Sequence, residues 1–280
     1  MAGPDHLSSP MEKELAIAKK LALEGGAVLM RHYDQAVAVE WKAPGDPVTE
    51  ADRMASTLIV SNLSREFPKH VVLSEEEPDN LSRLKESHVW MVDPMDGTRE
   101  FIEHRGEFAV QIGLVADSTP VLGVVYQPTT QKLYYAAEGM GAFLEADGKV
   151  IPLHVSSENV SSRLTLAASR SHHSVRVDAI RKQLGIKNVV RMGSVGLKVG
   201  LLCEGRAHVY MHTGGRTHLW DTCGPEAILR EAGGRMTDIS NEPLNYRSRD
   251  ALNQNGLIAS NGVIHDRVVQ VTQSVLESFR

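Results

Sequence analysis

The chain has 280 residues, 42% of them hydrophobic and 23% charged, the balance of an ordinary folded soluble protein. Its net charge of −5 offers no broad basic field for nucleic acid or an anionic membrane. Two cysteines, Cys203 and Cys223, are too few for a disulfide framework or a zinc cage, no apolar run approaches the length that spans a bilayer, and MAGPDHLSSP lacks the charged-then-apolar order of a signal peptide.

A cytoplasmic location is therefore expected. The Pro-, Ser- and Gly-containing start reads as a frayed tail. From 11 to about 33, apolar residues recur at helical spacing: Ala18, Leu21, Ala22, Gly25, Val28 and Leu29. Residues 37–41 are strand-like and enter the turn-rich KAPGDP. Thr49 is a candidate N-cap for a second helix with Met54, Leu58 and Ile59 on one face. Two short β-branched runs, HVVL and HVWMV, each stop abruptly at acidic residues, and 108 to about 137 reads as an antiparallel meander. After about Pro152 the pattern changes. LTLAAS, NVVRM, AHVYM and GLIAS are strand-like, with helices at about 173–184, 195–204, 222–232 and 263–278. This alternation predicts layered α/β packing. Two lobes, 1–152 and 153–280, are expected to share a core and a cleft between them.

The informative residues are acids at the ends of predicted elements: Asp46 and Asp52 in DPVTEAD, Glu75 and Glu76 in LSEEEP, Asp93 and Asp96 in DPMDGT, and Asp221 in WDTCGPE. Asp93 follows a nearly all-apolar strand, and Pro94 and Gly97 force a turn that aims Asp93 and Asp96 at a common point. Carboxylates gathered in one place repel and raise their own pKa values unless a cation neutralises them. Oxygen-only ligation points to a hard ion such as magnesium. Calcium loops concentrate their ligands in one short segment, whereas these acids are scattered along the chain. Two ions bridging a phosphate would activate a water and stabilise the leaving oxygen. In the DGT turn, Gly97 permits close backbone approach, and Thr98 would open a short helix whose free N–H groups cradle phosphate oxygens.

DPVTEAD, SEE, DPMDGT and WDTCGPEAI, in this order and over essentially the whole chain, resemble the inositol monophosphatase superfamily of lithium-sensitive sugar and nucleotide phosphatases. The resemblance implies a layered αβαβα fold and hydrolysis assisted by two or three Mg2+ ions. It implies that Glu75, Asp93, Asp96, Asp221 and the Met95 carbonyl bind metal. It also implies a catalytic pair, Asp46 and Thr98, that takes a proton from the nucleophilic water; Asp52 and Glu76 would be supporting groups. Glu75, Gly97, Thr98 and Asp221 would touch the substrate. The stretch DPMDGTREFIEHRGEFAVQIGLV looks most like the 3′(2′),5′-bisphosphate nucleotidases, which implies a nucleotide bisphosphate as the phosphorylated partner. Ser169 and His172 in ASRSH, and Ser194 and Lys198 in MGSVGLK, would then hold the nucleotide, with Lys198 at the second phosphate. A bland alternative makes Lys198 a solvated helix charge and His172 a surface loop residue. MHTGGRTHLWD lacks the expected basic residue before the last motif, unless Arg216 substitutes. Trp220 is read as packing. Dimers are common among relatives, so a homodimer is an expectation. Inositol, sugar-bisphosphate or NADP phosphatase activity is the alternative within the same chemistry.

Overall fold

In the computed structural model, residues 11–35, 39–43, 46–215 and 217–279 are described. The N-terminal tail, Arg216 and the side chain of Asp46 lie outside the described residues. Apolar residues at every third or fourth position make α1 (Glu12–Tyr33) amphipathic, with Leu15, Ala18, Leu21, Ala22, Val28 and Leu29 on its buried stripe. It packs beside α2 (Glu50–Glu66), which buries Ala51, Ala55, Ile59 and Leu63.

Both helices cover one face of a seven-stranded sheet. Its strands run in sequence order: β3 (Val71–Ser74), β4 (His88–Asp96), β5 (Ala109–Ala116), β6 (Thr119–Gln127), β7 (Lys132–Ala137), β8 (Gly141–Ala146) and β9 (Lys149–Leu153). Only the β3–β4 pair is parallel. A separate hairpin, β1 (Val39–Ala43) with β2 (Asp46–Thr49), precedes α2. The meander runs two strands past its expected end. Asp147 and Gly148, at φ 51° and 69°, make the two-residue turn joining β8 to β9, and Asp-Gly is the usual sequence signal for such a turn.

The second sheet has five strands in the order β11-β10-β12-β14-β13. These are β10 (Thr165–Ser169), β11 (Asn188–Met192), β12 (Val209–His212), β13 (Arg235–Thr237) and β14 (Leu257–Ser260). β10 runs parallel to β11 and β12, whereas β14 is antiparallel to its neighbours. α4 (Val175–Gln183) and α7 (His265–Glu277) pack together, with α7 against β14 on the outside. α5 (Val195–Cys203) and α6 (Leu219–Glu231) lie between the two sheets. Every residue of α5 is buried, as expected of a helix that is apolar on nearly all sides. The layers are thus αβαβα. The first sheet ends at Leu153, and the central helices that follow it pack on that sheet too. Among the described residues no helix is long and apolar enough to cross a membrane.

Close packing in the central layer fixes α6, and two glycines in the sheet permit it. A Cβ on Gly113 would lie 2.5 Å from Cys223 Sγ, and one on Gly123 would lie 2.0 Å from the Gly224 carbonyl oxygen. Backbone cannot yield as a flexible side chain can. Gly123→Ala is therefore expected to lower stability by about 1–3 kcal/mol, the usual cost of overpacking, and to reduce turnover, because α6 carries Asp221. Urea unfolding and steady-state rates check this; a variant equal to the parent in both would contradict the packing.

Candidate active site

The acids gather where the first sheet meets the central helices. β3 ends at Ser74, and the Glu75 amide donates to the Val92 carbonyl, which prolongs the parallel ladder and sets Glu75 beside Asp93. β4 continues through Asp93, then breaks register before Asp96 pairs with Ala109. Asp93 is buried and its Oδ1 accepts the Met95 amide at 2.9 Å, which folds the turn on itself. Gly97, at φ 105°, ends this turn and caps α3 (Thr98–Ile102). A Cβ there would sit 3.0 Å from the Glu107 carbonyl, so the position suits glycine in both conformation and space. Asp221 arrives from the other half of the chain as the third residue of α6, its Oδ2 accepting the His218 amide at 2.8 Å. Pro225 lacks the amide that would otherwise bond the Asp221 carbonyl within the helix. Trp220 is partly buried against the core and stacks on His218, with ring centroids 4.5 Å apart, consistent with a packing role.

Electrostatics identify the cluster. Burial first, then Glu75, Asp96 and Asp221, drive Asp93 well above the ordinary aspartate range. Asp221 is pushed well above it by burial and then by Asp96 and Glu75. Glu75 is raised to about 7, chiefly by burial, although Lys42 opposes the shift. Lys42 donates to both Glu75 and Glu76 at 2.7 Å; burial works against its charge, but the two carboxylates outweigh it and raise its pKa. Asp96 is also raised by burial, although Lys198, Ser194 and the Gly196 amide counteract it. Its Oδ2 accepts Gln111 Nε2 at 2.5 Å, Ser194 Oγ at 2.5 Å and the Gly196 amide at 3.1 Å.

This donor set fits a hard divalent cation. The groups are oxygens only, and a bound cation would offset the burial and mutual repulsion that now favour their protonated forms. Among the described residues no three His, Cys, Asp or Glu side chains stand close enough to hold an ion as they are. Asp96 accepts Gln111, Ser194 and the Gly196 amide through Oδ2, and Glu75 accepts Lys42 through Oε1, so each also has a second carboxylate oxygen to offer an ion.

Among the described residues, the carboxylate that meets Thr98 is Asp52. The Thr98 hydroxyl lies 3.1 Å from Asp52 Oδ1 and 3.3 Å from the Met95 carbonyl, and it can give its hydrogen to only one of them at a time. Asp46, the expected partner, has its side chain outside the described residues. Asp52 is placed by a capping box. Its Oδ2 accepts both the amide and the hydroxyl of Thr49, at 2.8 and 2.6 Å, and this leaves Oδ1 directed at Thr98. Asp52 is almost fully buried, and burial raises its pKa to about 6.

The residues expected to hold a nucleotide fall into two groups. Ser169 and His172 border a cavity of about 410 Å3 at the ends of β10 and β11, together with Arg176, Arg191 and Tyr210. The Ser169 hydroxyl accepts the His172 amide at 3.2 Å. Ser194 and Lys198 do not border that cavity. Ser194 caps α5 by accepting the Leu197 amide, and its own hydroxyl goes to Asp96. Lys198 is 2% exposed, which rules out a solvated helix charge. Its ammonium donates to the Gly193 carbonyl and lies 5.0 Å from the Tyr210 ring. Burial lowers its pKa to about 8, against the pull of Asp96 and Glu100. Sequence reasoning passed over Lys42, Gln111, Glu107 and Arg170, whose partners lie at distant sequence positions.

Carboxylates at the ends of two parallel strands, met by a helix from the far half of an αβαβα sandwich, define one class of protein. The chain belongs to the inositol monophosphatase family, whose sequence model matches residues 11–277. Among curated relatives, the 3′(2′),5′-bisphosphate nucleotidase CysQ of Salmonella typhimurium is 38% identical over 235 residues, covering 83% of this chain and 93% of the relative. The protein of the same name from Escherichia coli K12 is 37% identical over the same shares. Among solved structures, the IMPase of Thermotoga maritima superposes with a TM-score of 0.82 at 29% identity, covering 96% of this chain and all of that one. CysQ from Bacteroides thetaiotaomicron gives 0.78 at 31% identity, covering 90% and 98%.

Proposed function

We propose that this protein is a magnesium-dependent 3′(2′),5′-bisphosphate nucleotidase that removes the 3′-phosphate of adenosine 3′,5′-bisphosphate to leave AMP. The observation that carries the reading is the buried carboxylate group at the end of β3 and on β4 and α6 in a chain 37–38% identical to nucleotidases over most of its length. Glu75, Asp93, Asp96, Asp221 and the Met95 carbonyl would hold two or three magnesium ions. When bound, these ions supply the positive charge that offsets the carboxylates and draws in a phosphate ester.

The chain's own residues account for the rest. Thr98 orients the attacking water by accepting its hydrogen while donating its own to Asp52 Oδ1. Asp52 takes the proton, relayed through that hydroxyl. Threonine alone is far too weak a base at neutral pH, whereas a carboxylate near pKa 6 is ionised there and more basic than an ordinary aspartate. The α3 amides behind Gly97 face the phosphate oxygens. Ser169 and His172 hold the nucleotide at the cavity they border, where Arg176 and Arg191 supply charge for a second phosphate. A water attack of this kind needs no covalent phosphoenzyme.

The test is phosphate release from adenosine 3′,5′-bisphosphate, inositol 1-phosphate, fructose 1,6-bisphosphate and NADP, each with added magnesium. Highest kcat/KM on the adenosine bisphosphate is expected, with activity lost in excess chelator and reduced by lithium. Full activity in chelator would overturn the metal reading. Preference for inositol 1-phosphate would overturn the choice of substrate.

A further inference from the structure

One carboxylate ties the ends of β10 and β11 to the reaction side of the molecule. Glu107, between α3 and β5, takes Arg170 in a two-pronged ion pair: Arg170 Nε donates to Oε2 and Nη2 to Oε1, both at 2.6 Å. The same Oε2 accepts the Gly193 amide at 3.0 Å, and the Glu107 carbonyl accepts the Ser194 amide at 3.2 Å. Arg170 Nη2 also donates to the Arg191 carbonyl at 2.8 Å, which joins β10 to β11. Beside this pair, the Ser171 hydroxyl donates to Glu100, a buried acid on the same short helix as Thr98. The fit is close: a Cβ on Gly193 would lie 2.5 Å from the Glu107 carbonyl oxygen and 2.6 Å from Glu100 Cγ.

We propose that the Glu107–Arg170 pair is a positioning device that sets selectivity for nucleotide bisphosphates over one-phosphate esters; this rests on the nucleotidase reading above. The pair flanks Ser169 and Arg191, which border the nucleotide cavity. Glu107 carries the wrong charge to bind phosphate itself. Its part is to hold the cavity wall at a fixed distance and angle from the reaction turn, which a bidentate arginine–carboxylate pair does better than a point charge. The carboxylates and Thr98 stand just past β3 and on β4, α3 and α6, and among the described residues no side-chain hydrogen bond joins any of them to the pair, so chemistry on a small ester does not depend on it.

The experiment measures kcat and KM for adenosine 3′,5′-bisphosphate and inositol 1-phosphate, and AMP affinity by calorimetry, in Glu107→Gln, Arg170→Gln and the double variant. Expected is a rise of about tenfold in KM for the bisphosphate and in Kd for AMP, the scale of a lost charge-assisted contact. The bisphosphate kcat and the inositol phosphate kcat/KM should stay within about twofold, and the double variant should lose no more than the worse single one. If Glu107→Gln does not fold, Arg170→Lys, which keeps the charge but not the two-pronged geometry, is expected to show the same selective rise at about threefold. Equal losses on both substrates, additive losses, or no change on either would overturn the positioning role while leaving the nucleotidase reading intact. Wild-type protein that neither hydrolyses the bisphosphate nor binds AMP would overturn both.

Discussion

Asp52→Asn is expected to lower kcat by about 10²- to 10⁴-fold, the usual range for removing a general base, with KM little changed. Asparagine keeps the shape and can still accept the Thr49 amide through its Oδ1, so the capping box and the fold should survive. What disappears is the basic oxygen facing Thr98. Thr98→Ala should cost a comparable factor, because the hydroxyl is the link between water and base. If the two act as one unit, the double variant loses little beyond either single one; additive losses would separate their roles. The pH dependence follows from the same assignment. A base works only when deprotonated, so kcat/KM falls as pH drops through the Asp52 pKa. Burial sets that value at about 6 before any cation is bound, and a nearby cation lowers it. The acid limb should therefore lie at or below about pH 6, and a limb centred above 7 would exclude Asp52. Asp46→Asn, in the same motif, serves as the comparison.

Asp93→Asn is expected to reduce turnover by about 100-fold or more at millimolar magnesium, since the position would supply charge to the ions. Stability should move the other way. Asparagine can keep the bond from the Met95 amide through its oxygen while removing one of several acids that repel each other. In chelator, the thermal midpoint of Asp93→Asn should equal or exceed that of the parent. The parent's midpoint should climb with added magnesium through binding to the folded state, and the variant's should stay flat. A variant that keeps the magnesium-dependent rise would remove Asp93 from the ligand set.

Layer order and most elements were legible because hydrophobic periodicity is local. The DPVTEAD motif shows where that ends. Thr49 reads as an N-cap, and T-x-x-D is a capping-box pattern, so Asp52 could have been placed at the third helical position from sequence. That Asp52 meets Thr98, 46 residues further on, depends on tertiary placement, and no spacing within the motif carries that information. Ser194 and Lys198 show the same limit. Ser194 caps and Lys198 lies on a helix buried between two sheets, so their polar groups must find protein partners, Asp96 and the Gly193 carbonyl. The Glu107–Arg170 pair joins residues 63 apart in the chain and has no local signature at all. The β8–β9 hairpin is the opposite case, since its Asp-Gly turn was in plain view.

The interleaved central layer also has a consequence for biosynthesis. All strands of the seven-stranded sheet have been translated once Leu153 is made, but α6, which covers its inner face, begins only at Leu219. Until the central helices are translated, α5 first and then α6, one apolar face of a finished sheet has no helix from its own chain to cover it, and such faces invite association with other nascent chains. The last of the clustered carboxylates, Asp221, arrives with that same helix. A chain truncated before α6 would thus lack both its inner packing and Asp221, so an incomplete product has neither a closed core nor a complete charge cluster.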